Sequence, residues 1–214
     1  MKRRTILMAA LAAPLLPTGL VLAQGGTAGD SAKPFDPTVV HDRDRVLGAA
    51  DAPVTIFEYA SLTCSHCATF ALQTLPEVER EWIETGKARL VYRHYPLDRL
   101  ALVAAVSADC MKGDKAFFAY IDMLFAEQSS WARSDDPLAA LAQRAALAGL
   151  GQEAFDACVA DEAQIDALLA RVIAARDTLA IESTPSFIIN ERKVSGALPY
   201  DEFAEILEEA HRGT

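Results

Sequence analysis

The sequence predicts an α/β chain in which a β-α-β unit and a closing β-β-α unit flank an all-helical insertion. Three observations predict it. Cys64-Ser65-His66-Cys67 lies between a β-branched, aromatic run, Val54-Thr55-Ile56-Phe57-Glu58-Tyr59, and a run that reads as helix from Ala68. Helical periodicity then dominates from about Asp98 to Ala180. Finally, Phe187–Asn190 and Lys193-Val194, separated by turn residues, read as a hairpin ahead of a last helix opened by Pro199 at its first position. A chain of 214 residues, 51% hydrophobic and 23% charged, suits one globular domain carrying an insertion. Its net charge of −10 makes it a poor nucleic-acid binder and leaves no basic stripe for anionic membranes.

Residues 1–23 read as a secretory signal peptide. Lys2-Arg3-Arg4 is a basic start, Ile6 to Leu22 is mostly apolar, and Ala23 precedes the polar Gln24-Gly25-Gly26. The alternative is an uncleaved anchor, disfavoured by Pro14, Pro17 and Gly19. Arg3-Arg4 faintly resembles a twin-arginine signal, which an ordinary basic start explains as well. Cleavage removes only positive charge and leaves the mature chain more acidic. The expected location is outside the cytoplasm.

Residues 24–45, rich in Gly, Ser, Pro and charge, read as a flexible lead-in with a short edge strand at Thr38-Val39-Val40. This is too short for a separate dimerisation domain. The first part of the α/β fold spans 46–97. After the CxxC motif, Ala71, Leu75, Val78 and Trp82 form a core-facing helical stripe. Pro76 predicts a kink or break near Leu75, with Glu77–Thr85 continuing the helix until Gly86. Ala88–Tyr95 reads as the second strand, parallel to the first across a right-handed crossover.

The insertion, 98–180, divides into Arg99–Met111, Lys115–Phe125, Pro137–Ala148 (capped by Asp135 or Asp136), Gln152–Ala160 and Glu162–Leu179. The last carries an amphipathic set, Ile165, Leu168, Leu169, Val172 and Ile173. Residues 181–214 complete the α/β fold. Glu191 follows Asn190 where a tight turn favours Gly, which points to a longer turn. The closing helix turns Phe203, Ile206 and Leu207 inward and Glu205, Glu208 and Glu209 outward. The whole order, with its CxxC beside β-α-β, is that of a thioredoxin fold with a helical cap.

The motif's setting points to redox chemistry. Cys64 is placed at the start of a helix, where unpaired N–H groups and the positive dipole end stabilise a thiolate. A stabilised thiolate is a good leaving group, so the disulfide it forms is readily reduced. Cys64 is the expected nucleophile and Cys67, one turn in, the resolving thiol. A protonated His66 adds positive charge, and Ser65 lies between the cysteines. Glu58, on the strand leading in, is expected as a buried acid near Cys67 with a raised pKa. All four cysteines lie in the exported part. Cys110 and Cys158 therefore form either a second, structural disulfide or two buried thiols, with parity and an oxidising compartment favouring the bond. His41, His94 and His211 have no ligand spacing, and Trp82 and Trp131 read as packing residues.

These pieces together resemble the DsbA-like thiol–disulfide oxidoreductases, a bacterial exported family, from about Val46 to the C-terminus. The resemblance is carried by Phe57-Glu58-Tyr59 through Cys67, Leu90 to Leu97, Ser183-Thr184-Pro185-Ser186-Phe187, and Gly196 with the closing helix. It implies a periplasmic location, transfer of the CxxC disulfide to folding exported proteins, reoxidation by a quinone-linked membrane partner, and no cofactor or metal. It also implies a cis-proline at Thr184-Pro185 opposite the CxxC, where an extended substrate pairs as an added strand. A second disulfide within the helical part occurs in some members. Two features depart from the strongest oxidants: Ser65 replaces a common Pro, and Thr before the proline is frequent in reductases and isomerases. A reductase or isomerase on the same fold is thus one alternative. Another is a copper or zinc protein using Cys64, His66 and Cys67.

Overall fold

The computed structural model describes residues 35–214. The signal peptide expected over 1–23 and the first part of the lead-in lie outside the described residues. No helix among the described residues is long and apolar enough to cross a membrane.

Five strands form one sheet in the order β1-β3-β2-β4-β5. These are β1 (Arg45–Leu47), β2 (Val54–Ala60), β3 (Ala88–His94), β4 (Ser186–Ile189) and β5 (Arg192–Ser195). The central β2 runs parallel to β3 and antiparallel to β4, as a β-α-β unit joined to a hairpin requires. This is a thioredoxin fold. Strand alternation divides the core. Val54, Ile56 and Ala60 join the main cluster beneath the first helix and α9 (Tyr200–Arg212), while Phe57 and Tyr59 join the opposite face. Glu58 shares the parity of Ile56 and Ala60 and so points into the main cluster.

The edge strand is not at Thr38-Val39-Val40 but at β1. Arg93, buried in the sheet, donates to the carbonyls of Pro37 and Val39 at 2.6 Å each and pairs with Asp44 at 2.7 Å. Asp36 accepts from both the N–H and the hydroxyl of Thr38. Side chains have taken the polar groups that a strand there would offer to a neighbour. The end of the lead-in is thereby held against the sheet rather than loose. β1 ends at Gly48, whose φ of 99° and contact with the Ala88 carbonyl leave no room for a side chain.

Of the kink or break expected near Leu75, the break does not occur. The chain stays helical through α1 (Ser65–Thr69), a π stretch Phe70–Thr74, α2 (Leu75–Val78) and a second π stretch Glu79–Ile83. Pro76 cannot donate, and its ring would crowd the carbonyl four residues back. In the wider π stretch the Leu75 N–H bonds instead to the Phe70 carbonyl, which accommodates the proline without a break. Phe70 then packs against Phe187 of β4 and Phe203 of α9, with ring centroids 4.5 and 5.2 Å away.

The insertion holds α3 (Arg99–Asp109), α4 (Gly113–Ala126), α5 (Gln128–Ala132), α6 (Pro137–Leu147), α7 (Gln152–Val159) and α8 (Glu162–Leu179). Asp136, not Asp135, caps α6 by accepting from the Ala139 N–H. The short α5 has no counterpart among the helices that periodicity predicts, because five residues are too few to show a period. In α8 only Leu168 and Ala175 are buried, while Leu169 and Ile173 of the expected set face solvent. That helix lies along the outside of the molecule, so only one edge of its apolar stripe meets a partner. The β4–β5 turn stays at two residues, with Ile189 paired to Arg192. Asn190 supplies the positive φ (51°), so Glu191 needs none. The Asn190 side chain also accepts from the Thr55 N–H of β2.

Candidate active site

The site forms where β2 stops and the helical run begins. Cys64 is the N-cap, in extended conformation, and its carbonyl accepts the Ala68 N–H. The N–H groups of Cys67 and His66 face its sulfur, the arrangement that a helix start offers an anion. Both Cys64 and Cys67 are free thiols; Cys64 is half-buried and Cys67 fully buried. Ser65 and His66 are exposed, so it is the His66 backbone rather than its ring that reaches the sulfur.

These surroundings drive the two cysteines apart. A hydrogen bond from the Cys67 thiol is the largest influence on Cys64. With the Thr184 hydroxyl and the two backbone N–H groups, it outweighs burial and brings the Cys64 pKa down to about 5. Burial, and then the bond to Cys64, push Cys67 far above the ordinary thiol range. At neutral pH one sulfur is a thiolate and its neighbour a thiol.

Thr184-Pro185 is cis and lies against Cys64. In its thiol form the Cys64 sulfur donates to the Thr184 carbonyl at 3.3 Å. The buried Thr184 hydroxyl has no nitrogen or oxygen partner. It is free to serve the thiolate.

Glu58 is 1% exposed, and neither carboxyl oxygen has a hydrogen-bond partner. Burial first, then the charges of Asp122 and Glu79, raise its pKa to about 8. Its register partner on β3 is Tyr92, whose buried hydroxyl is also unpartnered. Burial, Glu58 and Cys67 hold that phenol well above its ordinary pKa. Tyr92 thus feels both Glu58 and the buried Cys67, and a protonated acid and a protonated phenol share the buried face on which Cys67 lies.

Two contacts from the insertion went unread in the sequence. The Thr63 hydroxyl donates to Asp98 at 2.6 Å, and Asp98 in turn caps α3. The Gln128 amide donates to the carbonyls of Leu62 and Cys64 at 2.9 and 3.0 Å. Asp98 carried a legible cap signal ahead of a helical run, whereas Gln128 carried none.

Elsewhere, Cys110 and Cys158 are joined by a disulfide, with Cα atoms 6.4 Å apart. His94 is buried, His41 stacks against Phe35, and His211 lies edge-on to Trp82. Among the described residues no three His, Cys, Asp or Glu side chains are arranged to hold a metal ion. The copper or zinc alternative at Cys64, His66 and Cys67 therefore lacks its ligand geometry.

A family model described as thioredoxin matches residues 41–209. A curated Rickettsia bellii protein named "Putative protein-disulfide oxidoreductase" is 30% identical over 152 residues, covering 71% of this chain and 58% of that protein. A Rickettsia felis protein of the same name is covered over 54% of its length. The chain thus spans a little over half the length of these curated relatives. Among solved structures, alpha-DsbA1 of Wolbachia pipientis is 30% identical with a TM-score of 0.76, covering 82% of this chain and 94% of that one. BdbD of Bacillus subtilis, at 20% identity and a TM-score of 0.69, shares the fold over 79% of this chain and 94% of its own.

Proposed function

The chain belongs to the thioredoxin family and, within it, to the DsbA-like proteins, and on that premise we propose that it is an exported protein-disulfide oxidoreductase that donates its CxxC disulfide to folding proteins. One observation carries the reading: a half-exposed cysteine sulfur at a helix start, ringed by donors, sits directly above a buried thiol. That asymmetry makes Cys64 the sulfur that partners reach and Cys67 the one they do not.

The oxidised enzyme starts with a Cys64–Cys67 disulfide. A substrate thiolate attacks the Cys64 sulfur, the bond to Cys67 breaks, and a mixed disulfide forms. Cys67 leaves as a thiolate that its apolar surroundings do not tolerate, and the protonated Glu58 is the acid that returns its proton. A second substrate thiolate attacks the substrate sulfur of the mixed disulfide, and Cys64 departs as the stabilised thiolate. Two electrons have passed from substrate to enzyme, and two thiols have become one disulfide. Thr184 and Pro185 border the sulfur where the substrate segment must lie. A quinone-linked membrane partner takes the electrons onward.

The test is to express the full chain with Cys67→Ser in an exporting bacterium. Without the resolving thiol, mixed disulfides through Cys64 accumulate and run as thiol-sensitive adducts of exported proteins. No adducts, with full export, contradicts the reading. The glutathione equilibrium of the wild type separates the donor from a reductase: a donor is largely reduced in a buffer that leaves a reductase oxidised.

A further inference from the structure

The loop that carries Cys64 is tied to the helical insertion at two points, and the second has no role in the chemistry above. Both amide donations of Gln128 come from Nε2, to the Leu62 and Cys64 carbonyls. The reverse orientation of the amide would set its oxygen against two acceptors, so the contacts fix it. These carbonyls bracket the residue before the nucleophile. The Cys64 backbone (φ −81°, ψ 119°) is where the chain turns from loop into helix. The sulfur's reach to the Cys67 and His66 N–H groups depends on that turn.

Gln128 is presented from a braced element. Its neighbour Glu127 pairs with Arg144 of α6 at 2.8 Å, and Arg144 also donates to the Ser130 hydroxyl at 2.7 Å. Trp131, with no exposed surface, donates to the Leu124 carbonyl at 2.8 Å. The short α5 is therefore held from α4 and α6 and has little freedom to follow the loop. The Thr63–Asp98 bond ties the same loop to the start of α3.

We propose that Gln128 is a positioning residue through which the helical insertion sets the reactivity of the Cys64 sulfur. The proposal rests on the dithiol reading of Cys64 and adds to it a task for the insertion. The amide holds the N-cap geometry and turns the positive end of its dipole toward the loop. A substrate or partner that shifts α5 would alter the sulfur without touching it.

The experiment compares the full-length wild type with Gln128→Leu and Gln128→Glu, all reduced. The Cys64 thiolate is titrated by its ultraviolet absorbance, the equilibrium with glutathione is measured, and thermal unfolding is followed. Gln128→Leu is expected to raise the thiolate pKa by about half to one unit and to move the glutathione equilibrium about three- to tenfold toward the oxidised protein. The ionised Gln128→Glu, which cannot donate and adds negative charge, is expected to shift both further. A packing role alone would lower the unfolding temperature and leave pKa and equilibrium where they were; that result in both variants overturns the proposal. If the leucine variant does not fold, the near-isosteric glutamate carries the comparison. A wild type that does not exchange with glutathione at all sinks the dithiol reading itself, and the role of Gln128 with it.

Discussion

Cys64 and Cys67 open a helical run, and both sulfurs are free. Cys110 is the C-cap of α3 and Cys158 lies in the last turn of α7, and these two are bonded across 48 residues. The pairs differ in which end of a helix they occupy. A helix start offers N–H donors and a positive dipole end, which stabilise a thiolate and make it a good leaving group. A helix end offers carbonyls and a negative dipole end, which do the opposite. Cys158 is also buried, leaving little access for an attacking thiol. On the proposed function one chain holds one cysteine pair for exchange and another for structure, and helix polarity with access decides which is which.

The two pairs should differ most in activity. Cys64→Ser should reduce oxidation of a dithiol peptide to the uncatalysed rate. Replacing both Cys110 and Cys158 with Ala should leave that rate within a few-fold of the wild type, because neither sulfur borders the site. Equal losses from both changes would show that the second pair is not merely structural.

The stability effect runs the other way. Removing the Cys110–Cys158 bond should cost about 2–4 kcal/mol in denaturant unfolding, since the bond closes a long loop in the unfolded chain. Cys64→Ser in the reduced protein should cost far less at pH 4, where the Cys64 sulfur is protonated in the folded and the unfolded chain alike and its low folded pKa contributes nothing.

A subtler test lies under the first pair. Glu58 keeps its proton in the folded protein up to about pH 8, whereas in the unfolded chain it loses it near its ordinary 4.5. With a raised folded pKa, its contribution is fully present below pH 4.5 and is lost as pH rises toward 8. Glu58→Gln should match the wild type in stability at pH 4 and exceed it by a few kcal/mol at pH 8. The same variant should slow peptide oxidation on the order of 10²-fold below pH 8, because the acid that reprotonates Cys67 is gone. A variant with unchanged rate and unchanged pH dependence would remove Glu58 from the proton path.

The sheet and the strand–turn–helix setting of Cys64 were legible because β-branched alternation and helical periodicity leave one place for the turn. Glu58 was legible as a lone carboxylate in an otherwise apolar and β-branched strand leading into the motif, and the structure places it on the face of Ile56 and Ala60. Other features were set by contacts that no local pattern records. The edge strand moved because Arg93, some fifty residues on, claims the carbonyls of Pro37 and Val39. The helix passed Pro76 by widening rather than breaking. Two of five apolar positions in α8 had no partner to cover them. Gln128 sits on a helix too short to show a period, and its partners are backbone atoms, which leave no trace in residue type.

The decisive experiment is the titration of the Cys64 thiolate in the reduced protein, followed by ultraviolet absorbance against a Cys64→Ser baseline. A single step centred near pH 5 is the predicted result, with no second thiolate forming at neutral pH because Cys67 stays protonated. A step in the ordinary thiol range, about pH 8–9, would mean that the helix start does not hold the sulfur as a thiolate, and would contradict the contrast between the two pairs.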